Sequence, residues 1–276
     1  MMTDIHIRKM KPKERKTVMS IMRRSFPVFM QLFLSLSKDT LVAETDGKIL
    51  GGIVLKTFNL SKDIKVGIVE WIFTSSDARG LGAGQALIEA GLAWLEEVGC
   101  SQIFAIVEGF NTSSSKLFAT RGFSILPFRE QLRRFGLFGL FRVWFASTHI
   151  PDVGHFLWGK PKTVLPDHPA PQFIATLILN ILIAALVVWR SWGFGLPDLT
   201  ALWALPLATL ILIGFRTFAM NFAARRQGLD LRFRMWETGF NLSFPLALIF
   251  GFFLPVPGSF YPKKPIWRYR DELPVY

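Results

Sequence analysis

The chain has 276 residues, 51% of them apolar, and carries 32 Lys and Arg against 20 Asp and Glu, so burial of one large core or two ordinary ones is not limiting. A single cysteine, Cys100, excludes an internal disulfide and fits a reducing cytosol, and the four scattered histidines, His6, His149, His155 and His168, exclude the spacing of a zinc protease. The net charge of +12 invites nucleic acid, but the cations cluster near the amino terminus (Arg8 to Arg24) or flank apolar runs without stacking aromatics, so attraction to anionic lipid is the simpler account.

Met1 to Lys16 is too charged for a secretory signal. Asp4 to Arg8 reads as a strand, Pro12 to Ser25 as a helix with proline in its first turn, and Val28 to Leu36 as a second helical stretch. Thr40 to Thr45 and Lys48 to Phe58 form a hairpin around Asp46-Gly47, the dipeptide of a type I′ turn, and Lys65 to Thr74 forms the next strand. A helix follows from about Gly82 to Val98, with Ala83, Leu87, Ala90, Trp94 and Val98 as its inward stripe and Gly99 as its left-handed cap. Gln102 to Val107 is an apolar run of strand length.

Between the strand ending near Thr74 and its helix lies Arg79-Gly80-Leu81-Gly82-Ala83-Gly84. Glycines there remove side chains where a backbone must approach a ligand, the amides of the first helical turn point at an anion, and Arg79 adds a charge-assisted bond. The lysine-serine/threonine pair of a nucleotide-triphosphatase loop is missing. The stretch resembles the coenzyme A loop of the GCN5-related N-acetyltransferases (GNAT), Arg/Gln-x-x-Gly-x-Gly/Ala, through Arg79, Gly82 and Gly84. Downstream, Asn111 to Phe123 is similar to that family's Asn-x-x-Ala-x-x-Leu-Tyr-x-x-x-Gly-Phe block, with Ser114 at the small position and Phe118 at the tyrosine position. The likeness covers about residues 3 to 162.

This resemblance implies an α+β fold, a GNAT-like mixed and mostly antiparallel sheet flanked by helices, whose fourth and fifth strands splay to admit pantetheine. It implies acetyl-CoA as co-substrate and no metal. By carry-over, Phe73 and Thr74 bond the pantetheine arm and acetyl carbonyl, Gly80, Leu81, Gly82, Ala83 and Gly84 hold the diphosphate with Arg79, Asn111 touches the pantetheine or the amine, and Ser114 adds a contact. Transfer to an amine needs a base, and two carboxylates qualify: Glu70, expected to share a face with Ile72 and Thr74, and Glu108 at the end of the next strand. Phe118 departs from the pattern, because a phenyl ring donates no proton to a leaving thiolate.

After Phe123, Ser124 to Pro127 and His155 to Lys160 supply the last two strands. The insertion between them, about 130–150, holds Phe135, Leu137, Phe138, Leu140, Phe141, Val143, Trp144 and Phe145 beside Arg133, Arg134 and Arg142. It is too short to span a bilayer and too apolar for an exposed loop, and reads as an interfacial helix or hairpin, with burial against the sheet as the alternative. A proline-rich linker, 163–171, leads to residues 172–276, expected to be an all-α transmembrane region. His168 to Arg190 and Asp198 to Arg216 bound two uncharged runs, and Thr238 to Pro262, with Pro245, Pro255 and Pro257, is a third crossing or a re-entrant hairpin, three crossings being favoured. Arg216, Arg225, Arg226, Arg232 and Arg234 between the second and third runs put that link, and the domain 1–162, in the cytosol.

The expected protein is thus an integral membrane N-acetyltransferase of the cell membrane, moving acetyl from acetyl-CoA to a primary amine. Its partners are acetyl-CoA, an amine acceptor and the lipid bilayer, with a homodimer left open and no nucleic acid. The alternatives are an acyl-CoA-binding sensor or adaptor without turnover, and a structural membrane protein with a vestigial domain.

Overall fold

The computed structural model describes residues 5–78, 80–147, 153–161, 168–191 and 199–263. They fall into two compact units. The first comprises residues 1–106, 121–124 and 157–160, and the second 107–120, 125–156 and 161–276.

One sheet holds strands β1 (His6–Lys9), β2 (Leu41–Thr45), β3 (Lys48–Asn59), β4 (Lys65–Thr74), β5 (Gln102–Glu108), β6 (Ser124–Ile125) and β7 (His155–Gly159), of which residues 107–108, 125 and 155–156 are counted with the second unit. They order as β1-β2-β3-β4-β5-β7-β6, antiparallel from β1 to β4 and parallel between β4 and β5. Asp46 and Gly47 both take positive φ, 47° and 75°, as a type I′ turn joining β2 to β3 requires. The mixed, mostly antiparallel sheet matches the expectation.

Helices cover both faces of this sheet. On one, α1 (Arg15–Ser25) buries Val18 and Met22 against Val42, Val54 and Phe73. On the other, α2 (Ala83–Glu97) buries Leu87, Ile88, Gly91, Leu92 and Leu95, with Gly91 held close to Ile53 and Leu55. Ala90, Trp94 and Val98 of the expected stripe are only half-buried, so the inward face lies one residue further along the helix. The stretch 28–36 yields one short 3₁₀ turn, Val28–Leu32, and the strand expected over 124–127 has two residues.

The second unit contains α3 (Thr112–Ala119), α4 (Phe128–Ala146), α5 (Pro169–Ser191), α6 (Leu199–Arg226) and α7 (Gly239–Pro245), with β8 (Leu231–Arg234) and β9 (Ser259–Pro262). The insertion is the helix α4, kinked at Gly136, whose φ of 63° and ψ of 175° are not helical. It buries Leu140, Val143 and Trp144 and exposes Leu137, Phe138, Phe141 and Phe145. Part of the linker, 162–167, lies outside the described residues. Two helical segments, Pro169–Ser191 and Pro206–Arg226, are long and apolar enough to cross a membrane. Helix α6 runs through Pro206 and past Arg216, ten residues beyond the uncharged run.

The third run is not a crossing helix. Helix α7 continues as one π turn to Phe250, reverses at Gly251 (φ 65°) and returns as irregular chain to β9, which pairs antiparallel with β8. The run therefore enters and leaves at one end, as a re-entrant hairpin does. The same pair corrects the all-α expectation for 172–276: Leu231 and Phe233 alternate with Arg232 and Arg234, a period of two that suits a strand.

Side chains satisfy the irregular backbone of this hairpin, as a site away from water demands. The buried Asn180 of α5 donates to the carbonyl of Val256 (2.9 Å) and accepts from its amide (2.8 Å). Ser243 donates to Leu254 O (2.6 Å) and Arg216 to Gly258 O (3.0 Å). Asn180→Leu keeps the volume and orphans both polar groups of Val256. It is expected to cost about 2–4 kcal/mol, read as a lower thermal midpoint of the full chain in detergent.

Candidate functional site

Strand β4 carries the first group of expected site residues. Val54 pairs with Trp71 but the next residue, Leu55, pairs with Val69, so Glu70 is the extra residue of a β-bulge. The bulge overturns the expected alternation. Ile53, the partner of Ile72, faces α2, whereas Glu70 bonds Lys56, which lies with Val54 on the α1 face. Glu70 is therefore turned away from Ile72, and its neighbour Trp71 meets Phe26 of the α1 side edge-on, with ring centroids 5.1 Å apart.

Glu70 is buried, with a side-chain exposure of 6%. Burial raises its carboxyl above the ordinary carboxylate range, although the bonded Lys56 ammonium pulls the other way. Oε1 receives Lys56, while Oε2 is buried with no hydrogen-bond partner among the described residues. Trp71 Nε1 and Ser75 Oγ, on the same stretch of chain, are likewise buried and unpartnered. Three unmet polar atoms within six residues are costly for a fold unless ordered water or a bound molecule supplies their partners.

The parallel ladder of β4 and β5 joins Val66–Val69 to Gln102–Ala105 and then stops, although β4 runs on to Thr74. From Glu70 to Thr74 the pairing of β4 is with β3 alone. Phe73 is buried in the core against α1, leaving only its backbone for a ligand. The carbonyl of Thr74 accepts from Ser25 Oγ (3.1 Å), which ties the end of α1 to the end of β4.

The glycine loop follows. Gly80 and Gly82 have φ of 83° and 84°, a left-handed backbone that other residues resist, and a Cβ on either would meet nothing within 4 Å. Leu81 points into solvent, and the N-cap of α2 is Gly82, which has no side chain of its own to cap the helix amides. Ala83 is buried beneath the turn and Gly84 half-buried. The described part of the loop is thus a helix amino terminus begun by glycine, the form a diphosphate cradle requires. Arg79 lies outside the described residues.

Glu108, Asn111 and Ser114 come together in the second unit, at the junction of β5 and α3. Asn111 is the N-cap of α3, its Oδ1 accepting from Ser114 N at 3.1 Å, so the family's asparagine and small residue here build one helix start. Glu108 is half-buried and its carbonyl accepts from Asn111 N. Phe118 is 2% exposed, a core residue as its phenyl ring demands. Cys100 is buried, and burial pushes its thiol up.

Sequence reasoning missed Lys56, Trp71 and Tyr261. Lys56 and Trp71 gain their places from the bulge, which leaves no mark in an apolar strand pattern. Tyr261 of β9 packs on Gly109 so closely that a Cβ there would sit 2.1 Å from its ring. It also meets Phe110 (4.6 Å between centroids) and Phe156 (5.0 Å), and its hydroxyl accepts from Trp236 Nε1 at 2.7 Å. Gly109 was the one local signal.

Comparison with known proteins bears on the first half of the chain. The acetyltransferase (GNAT) family model matches residues 10–123. No curated protein matches the chain. Similar solved structures include Arabidopsis thaliana Naa50 in complex with a bisubstrate analogue, at 12% identity and a TM-score of 0.41, covering 57% of this chain and 98% of that one. A GNAT family acetyltransferase from Brucella melitensis in complex with acetyl-CoA has 22% identity and a TM-score of 0.35, covering 44% and 84%. N-acetylglutamate synthase from Neisseria gonorrhoeae, complexed with coenzyme A and N-acetyl-glutamate, has 18% identity and a TM-score of 0.41, covering 58% and 36%. The family match supports a GNAT acetyltransferase domain at residues 10–123 of this chain.

Proposed function

We propose that this protein is a membrane-anchored N-acetyltransferase that moves the acetyl group of acetyl-CoA to a primary amine at the cytosolic membrane face. The observation that carries the reading is the end of the β4 ladder to β5 at Val69 and Ala105, followed along the same stretch of chain by three unmet polar atoms and then by the glycine turn that starts α2.

In this reading the edge of β4 near Phe73 and Thr74 bonds the pantetheine arm, and the amides of Gly80 to Gly84, with Arg79, hold the diphosphate. Glu70 takes the proton of the incoming ammonium, directly or through a water, as a carboxylate whose burial has moved it toward neutral pH. The new N–C bond forms as the C–S bond breaks, and the thiolate leaves without a dedicated acid. Phe118 supplies none, and a thiol of ordinary pKa, about 8.5, leaves without one. Asn111 and Ser114 shape the start of α3, and Glu108 is the second candidate base.

The two apolar helices and the re-entrant hairpin form the anchor, with both ends of the hairpin on the side of the arginines that follow α6. The testing experiment is saturable binding of acetyl-CoA to the full chain in detergent, followed by thiol release with a panel of primary amines. Binding with release supports the enzyme. Binding without release favours a sensor, the reading that Phe118 encourages, and no binding refutes both.

A further inference from the structure

Helix α1 is two-sided. Val18 and Met22 are fully buried, while Arg15, Lys16, Met19, Ser20, Arg23 and Arg24 line the opposite side and, with Gln31, an open groove of about 620 Å³. Gln31 Nε2 donates to Arg23 O (3.1 Å), fastening the following 3₁₀ turn to the helix. No Asp or Glu occurs between Arg15 and Lys38, and Glu14 just before them is bonded to Arg8 and to the Lys11 amide. The four groove cations form no ion pair among the described residues. The turn itself presents Val28 at 81% exposure, Leu32 at 87% and Phe33 at 58%.

Four unneutralised cations beside three bare apolar side chains are complementary to one surface, the interface of an anionic bilayer. Charge meets the phosphates, and the apolar tip enters the acyl boundary. We propose that the α1 groove and the Val28–Phe33 turn dock on the anionic headgroups of the leaflet that the protein's own anchor reaches. This rests on the membrane-anchored reading above. The docking would hold this face of the acetyltransferase domain against the lipid surface. An acidic protein surface would satisfy the cations but gives no reason for the bare Leu32 and Phe33.

The test is hydrogen exchange on the full chain in nanodiscs of phosphatidylcholine alone and of phosphatidylcholine with phosphatidylglycerol. Each cation at an anionic surface shifts docking by roughly fivefold, so the amides of residues 26–34 should exchange at least about fivefold more slowly in the anionic disc. The slowing should shrink in high salt. It should vanish in Arg23→Glu with Arg24→Glu, and weaken in Leu32→Ser with Phe33→Ser, while acetyl-CoA binding is unchanged, since all four residues are exposed and remote in sequence from the cradle. Equal exchange in the two bilayers, or slowing that survives the charge reversal, overturns the docking and leaves the enzyme reading standing. A chain released from membranes by alkaline carbonate overturns both the anchor and the docking built on it.

Discussion

Valine at Gly82 is expected to weaken acetyl-CoA binding by at least about a hundredfold. Gly82 has φ of 84°, and the left-handed backbone costs a non-glycine residue roughly 1–2 kcal/mol, more for a β-branched one. The added side chain meets no protein atom, so the fold survives, but it projects where the diphosphate must approach the amides of α2. Losing even one charge-assisted bond there removes about 1.5–3 kcal/mol. The two terms together span about a hundredfold to a few thousandfold at 1.4 kcal/mol per decade. Titration calorimetry on the full chain checks this, with Gly82→Ala expected between wild type and Gly82→Val. Unchanged affinity in Gly82→Val would remove the cradle from the mechanism.

Glu70→Gln is expected to lower kcat by about 10²–10⁴ while leaving acetyl-CoA affinity intact, the usual weight of a positioned base. In the wild type the rate should climb with pH through the Glu70 pKa, on a limb displaced upward from the ordinary carboxylate value of about 4.3 because burial penalises the ion. The variant should lack that limb. Lys56→Met should move it further up, since the ammonium is the group holding the carboxyl down. The same raised pKa means that Glu70 favours folding below its unfolded pKa, and that this contribution is lost as pH rises through the folded value. Removing the carboxylate is therefore not expected to unfold the protein near neutrality. A Glu70→Gln enzyme within about threefold of wild type would shift the role to Glu108.

Much of this was legible in the chain because local chemistry decided it. Asp46-Gly47 demands one turn, Gly82 one backbone conformation, and Asn111 one helix start, and each stands where its residue type requires. What escaped depended on non-local register. The extra residue at Glu70 is visible only when β3 is laid beside β4, and it reverses the side on which the carboxylate lies. The third apolar run has the length of a crossing, but its path is set by Asn180 and Arg216 bonding a bent backbone from afar and by Ser243 bonding it from within the run. Composition counts such residues as interruptions or as orientation signals. Here they are the partners that let the chain double back.

The notch at Gly109, filled by the Tyr261 ring, makes β9 a stopper, a role separate from the proposed anchor. Excising the final stretch would uncork an aromatic socket of Phe110 and Phe156 directly beside the Asn111 turn, so a shortened, water-soluble version could lose activity for a reason unrelated to lipid. Swapping the anchor while preserving Tyr261 and its Trp236 latch is the cleaner way to separate tethering from catalysis.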